Sequence, residues 1–150
     1  MKKMTALFCF LLLGVFTAVN ASEPIFRNMG ISEGLPSSEV YRIIQDAKGF
    51  IWFSTDAGVC RFNGRTIKCF TTADGLPDNT IFDLAEDNEG RIWMNCFNGT
   101  ICYYENGHFI VPKGAALLKN ILKKRSSIVT SIQFDSEQTL WVGTSEFPCT

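Results

Sequence analysis

The sequence predicts an all-β protein built from repeated four-stranded units, and three observations carry that prediction. First, a set of landmarks recurs. Gly34-Leu35-Pro36 runs through Asp46, Gly49, Ile51-Trp52 and Gly58, and returns 41 residues later as Gly75-Leu76-Pro77, Asp87, Gly90, Ile92-Trp93 and Gly99. A poorer third copy, Val129 to Asp135 and then Leu140-Trp141-Val142-Gly143-Thr144, lies 48 residues further on, Trp to Trp. Second, each unit holds short apolar runs bounded by turn signals, the pattern of antiparallel strands joined by tight turns. Third, a period of about 40 to 45 residues with one Trp per unit is that of a β-propeller blade. The expected architecture is β-propeller blades of four antiparallel strands, with about two complete blades and a partial third in an open, unclosed ring.

Residues 1–21 are set apart from this fold. Lys2 and Lys3 precede an apolar run from Ala6 to Val19, and Val19-Asn20-Ala21 supplies small residues before Ser22, the layout of a cleaved secretory signal peptide. The run is shorter than the roughly 20 apolar residues of a membrane span. Cys9 lies inside it, and no cysteine follows the cleavage site as a lipoprotein needs. The expectation is a periplasmic or otherwise extracytoplasmic chain whose residues 22–150 form the partial propeller, with no membrane span of its own. A formal net charge of −1 gives no general reason to expect a nucleic-acid or anionic-membrane partner.

Residues 24–33 read as a strand of a preceding or closing blade, because Ile25 to Met29 aligns with Ile67 to Phe70. Blade 1 is expected over 34–72 and blade 2 over 75–112. In blade 2, Thr80 to Glu86 is the first strand, Asp87 to Gly90 a turn, and Arg91 to Cys96 the second strand. Asn98-Gly99 reads as a two-residue hairpin turn, Thr100 to Glu105 as the third strand, and Asn106-Gly107 as the turn into a fourth strand at His108 to Val111. The strand Phe50-Ile51-Trp52-Phe53 is apolar on both faces and so must be covered on both. Trp52, Trp93 and Trp141 are therefore expected in the core between blades, with Asp46, Asp87, Gly49, Gly90, Gly58 and Gly99 as the structural turn residues of the repeat. Residues 113–127 break the period as an inserted linker or short helix. Ala115 to Leu122 has helical spacing, and Lys119, Lys123, Lys124 and Arg125 gather near its end, where cations suit a helix C-terminus. The partial third blade is expected over 128–145.

Without Cys9, the odd set Cys60, Cys69, Cys96, Cys102 and Cys149 remains, and no C-x-x-C pair points to a metal. A two-residue turn at Asn98-Gly99 sets Cys96 opposite Ile101 and Cys102 opposite Asn95, on opposite faces; the same count around Asn63-Gly64 sets Cys60 opposite Ile67. Buried free thiols follow. His108 is the only histidine, and the carboxylates fall mostly in turns with no local pairing for acid–base work. No catalytic residue, cofactor or metal is expected.

Strand direction points to where a ligand would sit. The loops leading into first strands, with Ser38, Glu39, Asp78 and Asn79, share one face with the loops between second and third strands, with Asp56, Phe97 and Asn98. The turns Asp46 to Gly49 and Asp87 to Gly90 lie on the other. Binding specificity resides in loops on a rigid scaffold, so these seven residues form the candidate ligand face, with Phe97 offering a ring for a sugar.

The words GLPSSEVYRIIQDAKGFIWFSTDAGV, GLPDNTIFDLAEDNEGRIWMNCFNGT and SIQFDSEQTLWVGT resemble the two-component regulator propeller repeat. That resemblance implies a part of the periplasmic sensor propeller of a Bacteroidetes-type hybrid or ordinary sensor histidine kinase, many of which sense oligosaccharides. It also implies an oligosaccharide ligand bound through the parent sensor, and the remaining blades, or another copy of the chain, as partners. Gln138 stands where the repeat has its turn glycine, the third blade stops after two strands, and no kinase follows, so the chain reads as an N-terminal fragment. The rival readings are a secreted binding or scaffold protein that closes by oligomerising, and a fragment of a propeller glycan-active enzyme.

Overall fold

The computed structural model of the protein describes residues 26–125 and 127–146; the expected signal peptide, Cys9 and Cys149 lie outside the described residues. Strands β1 (Val40–Gln45), β2 (Ile51–Thr55), β3 (Gly58–Phe62) and β4 (Ile67–Phe70) form one antiparallel sheet in sequence order. Strands β5 (Ile81–Glu86), β6 (Ile92–Cys96), β7 (Ile101–Glu105) and β8 (His108–Ile110) form a second. Helix α1 (Ala115–Lys124) follows, and β9 (Ser127–Phe134) pairs with β10 (Leu140–Glu146). Each sheet is a blade, the third half formed among the described residues, and the open partial propeller is the architecture found.

Apolar packing holds the blades face to face. Trp52, Val59 and Phe70 of blade 1 join Ile81, Leu84, Ile92, Met94, Cys96 and Cys102 of blade 2 in one buried cluster. The other face of blade 2 meets blade 3 through Ile101, Val129 and Ile132, and α1 inserts Leu118 and Leu122 into that seam. Its opposite side leaves Leu117 and Ile121 exposed. Each such buried aliphatic side chain contributes about 1.5–3 kcal/mol relative to exposure.

β2 is apolar on both faces because both are covered. Trp52 enters the seam with blade 2, and Phe53 packs with Leu35, Cys60, Phe62 and Met29 on the other side. The segment covering that second side is not the strand expected over 24–33: residues 26–29 form no ladder, and Ile31–Glu33 is a 3-10 turn. The same turn precedes β5 at Thr72–Asp74. A strand needs a partner strand to satisfy its backbone, and residues 26–29 have none among the described residues.

The three Asn-Gly pairs take three conformations. Asn106-Gly107 is the two-residue hairpin, with positive φ at both positions (49° and 91°) and Glu105 opposite His108. At Asn98-Gly99 that turn does not form. Cys96 and Thr100 flank a three-residue loop in which Gly99 alone has positive φ (78°), and its N–H donates to the Cys96 carbonyl. One residue more in the loop moves the register by one and turns every side chain over. Cys102 therefore lies opposite Met94 rather than Asn95, and Cys96 and Cys102 share one face, buried in the seam as free thiols. The neighbouring Cys96 thiol, and after it burial, push the Cys102 thiol far above its ordinary range. At Asn63-Gly64 the turn is centred one residue later, on Gly64-Arg65, because Asn63 accepts the Arg65 and Thr66 N–H groups on its side chain and donates its own N–H to the Thr66 carbonyl. Cys60 then faces Cys69 directly, and the two form a disulfide instead of the expected free thiols.

The core role expected for all three tryptophans is corrected by the structure. Trp52 is 1% exposed and Trp93 is half-buried against Tyr103 and Phe134, but Trp141 is 64% exposed. A middle strand is covered only where a blade stands on each side, and beyond β10 none stands among the described residues.

Candidate functional site

Every first strand carries the same irregularity. The ladder slips by one residue between Val40 and Arg42, between Ile81 and Asp83, and where β9 passes Gly143 and Thr144. The unpaired residues are Tyr41, Phe82 and Thr130. A bulge of this kind re-aims the side chains beside it. Tyr41 and Phe82 meet edge to face with centroids 5.3 Å apart, and Phe82 meets Phe97 of the β6–β7 loop at 5.8 Å. Two blades thus contribute to one line of three rings, in which Tyr41 is 43% and Phe97 60% exposed. Glu39 accepts the Tyr41 hydroxyl at 3.0 Å, and that hydrogen bond holds the phenol above its ordinary range. One residue past the bulge, Arg42 Nε lies 3.3 Å from Asp83 Oδ1, while Asp83 Oδ2 accepts the Ile132 N–H at 2.9 Å. A single carboxylate ties three blades.

The neighbouring loops are braced by their own polar groups. Asp78 accepts the Asn98 N–H at 3.0 Å, and Asn98 Nδ2 donates to the Pro77 carbonyl at 3.0 Å. Asn79 accepts the Thr72 N–H at 2.9 Å; the Thr80 hydroxyl donates to the Asp56 carbonyl at 3.1 Å, and the Thr80 carbonyl accepts the Phe97 N–H at 2.9 Å. Of the seven candidate residues, Asp56, Asp78, Asn79, Phe97 and Asn98 are brought into this network, and Glu39 joins it through Tyr41. Ser38 is exposed at the head of the loop into β1. The side chains of Asp78, Asn79 and Asn98 hold backbone groups and so shape the loops, leaving Phe97 as the exposed ring. Sequence reasoning missed Tyr41, Arg42, Phe82 and Asp83. Their signal was an aromatic at the same place in both repeats, in runs whose alternation breaks there.

The other face is structural. In each turn the aspartate Oδ1 accepts the N–H groups two and four residues on: Lys48 and Phe50 at Asp46, Glu89 and Arg91 at Asp87, Glu137 and Thr139 at Asp135. Oδ2 accepts the indole N–H six residues on, from Trp52 at 2.8 Å, Trp93 at 2.7 Å and Trp141 at 2.7 Å. Burial alone raises the Asp87 carboxyl, but the Trp93 and Arg91 hydrogen bonds bring it below its ordinary value; the Trp141 N–H does the same for Asp135. The amide after each of the first two aspartates reaches the next blade: Ala47 N–H to the Glu86 carboxylate at 2.9 and 3.0 Å, Asn88 N–H to Gln138 Oε1 at 2.8 Å. Gln138 occupies the glycine position with φ 65° and supplies that acceptor. A cleft of about 120 Å³ between these turns is lined by Asp46, Lys48, Trp52, Arg61, Glu89 and Arg91. Two of its cations are already matched, Arg61 over the Phe50 ring at 4.6 Å and Arg91 by Asp87 at 2.6 Å and Glu89 at 2.9 Å. Among the described residues no His, Cys, Asp and Glu cluster could hold a metal ion.

Fold and site together define a repeat-built β-propeller module with a loop face and a structural face. Residues 34–57, 75–98 and 124–146 match the two component regulator propeller family, and the chain belongs to it. Among solved structures it is similar to the extracellular domain of a hybrid two component system from B. thetaiotaomicron, with a TM-score of 0.60 and 23% identity over 80% of this chain and 16% of that one. It is similar also to the extracellular domain of a second such system from the same bacterium, with a TM-score of 0.55 and 25% identity over 71% of this chain and 14% of that one. The chain spans less than a fifth of the length of either. Comparison with curated proteins finds no match. No helix among the described residues is long and apolar enough to cross a membrane.

Proposed function

We propose that this chain is a sector of an extracytoplasmic ligand-sensing propeller in a two-component system, the sensory region of a hybrid histidine kinase. Family membership and the two extracellular domains support the signalling context. The observation that carries the ligand-sensing reading is the line Tyr41–Phe82–Phe97, exposed at both ends, built across two blades by matching bulges and set beside braced polar loops. Aromatic rings beside a few fixed hydrogen-bonding groups suit the apolar face and hydroxyls of a sugar, so an oligosaccharide is the proposed ligand class. Export through residues 1–21 and completion of the ring by further blades belong to the same reading. The chain works by binding, since the aspartates of its repeats serve turns and tryptophans. Because Asp83, the residue after Phe82, joins three blades, a ligand resting on these rings is coupled to how the blades sit against one another.

Calorimetry of the protein against a panel of oligosaccharides tests the reading. Phe97→Ala is expected to abolish binding, and Lys48→Ala on the opposite face to leave it intact. Loss at Lys48 with retention at Phe97 overturns the assignment.

A further inference from the structure

The helix inserted between blades 2 and 3 brings cations to the loop face. Lys119 and Lys123 of α1 line a cavity of about 180 Å³ together with Phe97, Asn98, Gly99 and Leu122. Lys119 Nζ donates to Thr100 Oγ1 at 3.1 Å, and an ammonium has three donors, so it retains the capacity to bond a further acceptor. Among the described residues the ion pairs are Arg42–Asp83, Arg91–Asp87 and Arg91–Glu89, none of them on α1. The carboxylate beside the loop, Asp78, is turned to the Asn98 and Thr80 N–H groups. Helix-end stabilisation accounts for Lys123 and Lys124 in the last turn, but not for Lys119 in the middle of the helix. An uncompensated positive concavity with an apolar wall and an exposed ring at its rim attracts an anion attached to something flat and partly apolar.

We infer that this cavity is a subsite for the anionic substituent of an acidic saccharide, a carboxylate or a sulfate ester, whose ring rests on Phe97. The inference rests on the reading of this face as a saccharide-binding face and adds the charge class of the ligand. Lys119 and Lys123 clamp the anion, and Leu122 and Phe97 take the apolar side of the sugar.

The test is a titration of the 15N-labelled protein, followed by amide shifts, with methyl β-D-glucuronide, glucose 6-sulfate and the neutral methyl β-D-glucoside. The expected result is shifts at residues 97–100 and 119–123, with the acidic sugars binding at least about tenfold tighter than the neutral one, as loss of a charge-assisted hydrogen bond implies. Comparison of the two acidic sugars tells carboxylate from sulfate. The double variant Lys119→Gln, Lys123→Gln is expected to remove that tenfold preference while leaving the glucoside unaffected, and Lys124→Gln, which does not line the cavity, to change nothing. The spectrum of the double variant away from α1 reports that it is folded. Equal affinity for acidic and neutral sugars, with shifts at Phe97, overturns the anionic subsite and leaves the binding face standing. Absence of shifts in the loop and helix with all three overturns the subsite, and absence of binding by the neutral panel as well removes the face with it.

Discussion

Replacing Trp52 by Phe and by Ala separates two contributions of its indole. The side chain is 1% exposed, with ring centroids 5.2 Å from Tyr104 and 6.2 Å from Phe70, and its N–H reaches Asp46 at 2.8 Å. Trp52→Ala opens a cavity in the seam between blades 1 and 2 and is expected to cost about 3–5 kcal/mol. That is a large part of the roughly 5–15 kcal/mol of a typical domain. Trp52→Phe keeps most of the ring but strips the donor from a buried carboxylate oxygen, an expected loss of about 1–3 kcal/mol. Trp141 offers the internal control, because it makes the same bond to Asp135 at 2.7 Å while 64% exposed. Water replaces the lost donor there, and Trp141→Ala is expected to cost less than about 1 kcal/mol. Urea denaturation followed by circular dichroism, which does not depend on the removed fluorophore, measures the series. With a slope of about 2 kcal/mol per molar, Trp52→Ala lowers the midpoint by roughly 2 M and Trp141→Ala by less than about 0.5 M. Equal shifts at the two positions refute the argument that inter-blade burial, rather than the shared hydrogen bond, sets the stability.

Gly58 has φ 130°, and a Cβ there runs into the Phe70 carbonyl oxygen, whereas Gly49 has φ 86° with open space around it. Gly58→Ala is therefore expected to cost about 3 kcal/mol or more and Gly49→Ala only about 1–2 kcal/mol, compared by thermal unfolding. Reducing the Cys60–Cys69 disulfide, which closes a separation of nine residues, is expected to lower stability by about 2.5 kcal/mol on the loop-entropy argument; an unchanged denaturation midpoint in reductant refutes it. Asp87 has its carboxyl held below the ordinary value, so its contribution is present above the unfolded-state pKa of about 4 and is lost as pH falls through the lower folded-state value. Asp87→Asn is expected to lower the melting temperature at pH 7 and to flatten its decline between about pH 4 and 2. The buried Cys96 and Cys102 thiols are expected to resist alkylation in the native state and to react at the rate of unfolding, read by mass spectrometry.

The propeller was legible because its signals are periodic: Asp46, Asp87 and Asp135 each precede a tryptophan by six residues, and no local conformation competes with that spacing. The insertion was legible because a helix has its own period. Turn geometry was not, since one dipeptide served three different turns. Asn106-Gly107 turns with its own residues, Asn63 is captured by the N–H groups of Arg65 and Thr66, and Asn98 is held from outside by Asp78 and Pro77. That outside hold lies 20 residues away in the chain, beyond any local rule, yet it moved the cysteine faces. Strand direction grouped the loops of Asp56, Asp78 and Asn98, which the hydrogen bonds join, but the rings at Tyr41 and Phe82 depend on a bulge, which strict two-residue alternation hides.

The turn amides that cross between blades, unlike the strand amide of Ile132, run in one direction. Ala47 and Asn88 always give, and Glu86 and Gln138 on the succeeding blade always receive; Ser136 carries the corresponding amide on blade 3. At these turns the two sides of a blade are unlike, and a dyad-related pairing of the giving turns would bring donor against donor. A copy of this chain, or a further blade, that repeats these turn contacts docks heterologously, by a rotation repeated in one sense. A ring of copies assembled this way has cyclic symmetry and a fixed hand, and a symmetric dimer of the chain cannot form these turn contacts.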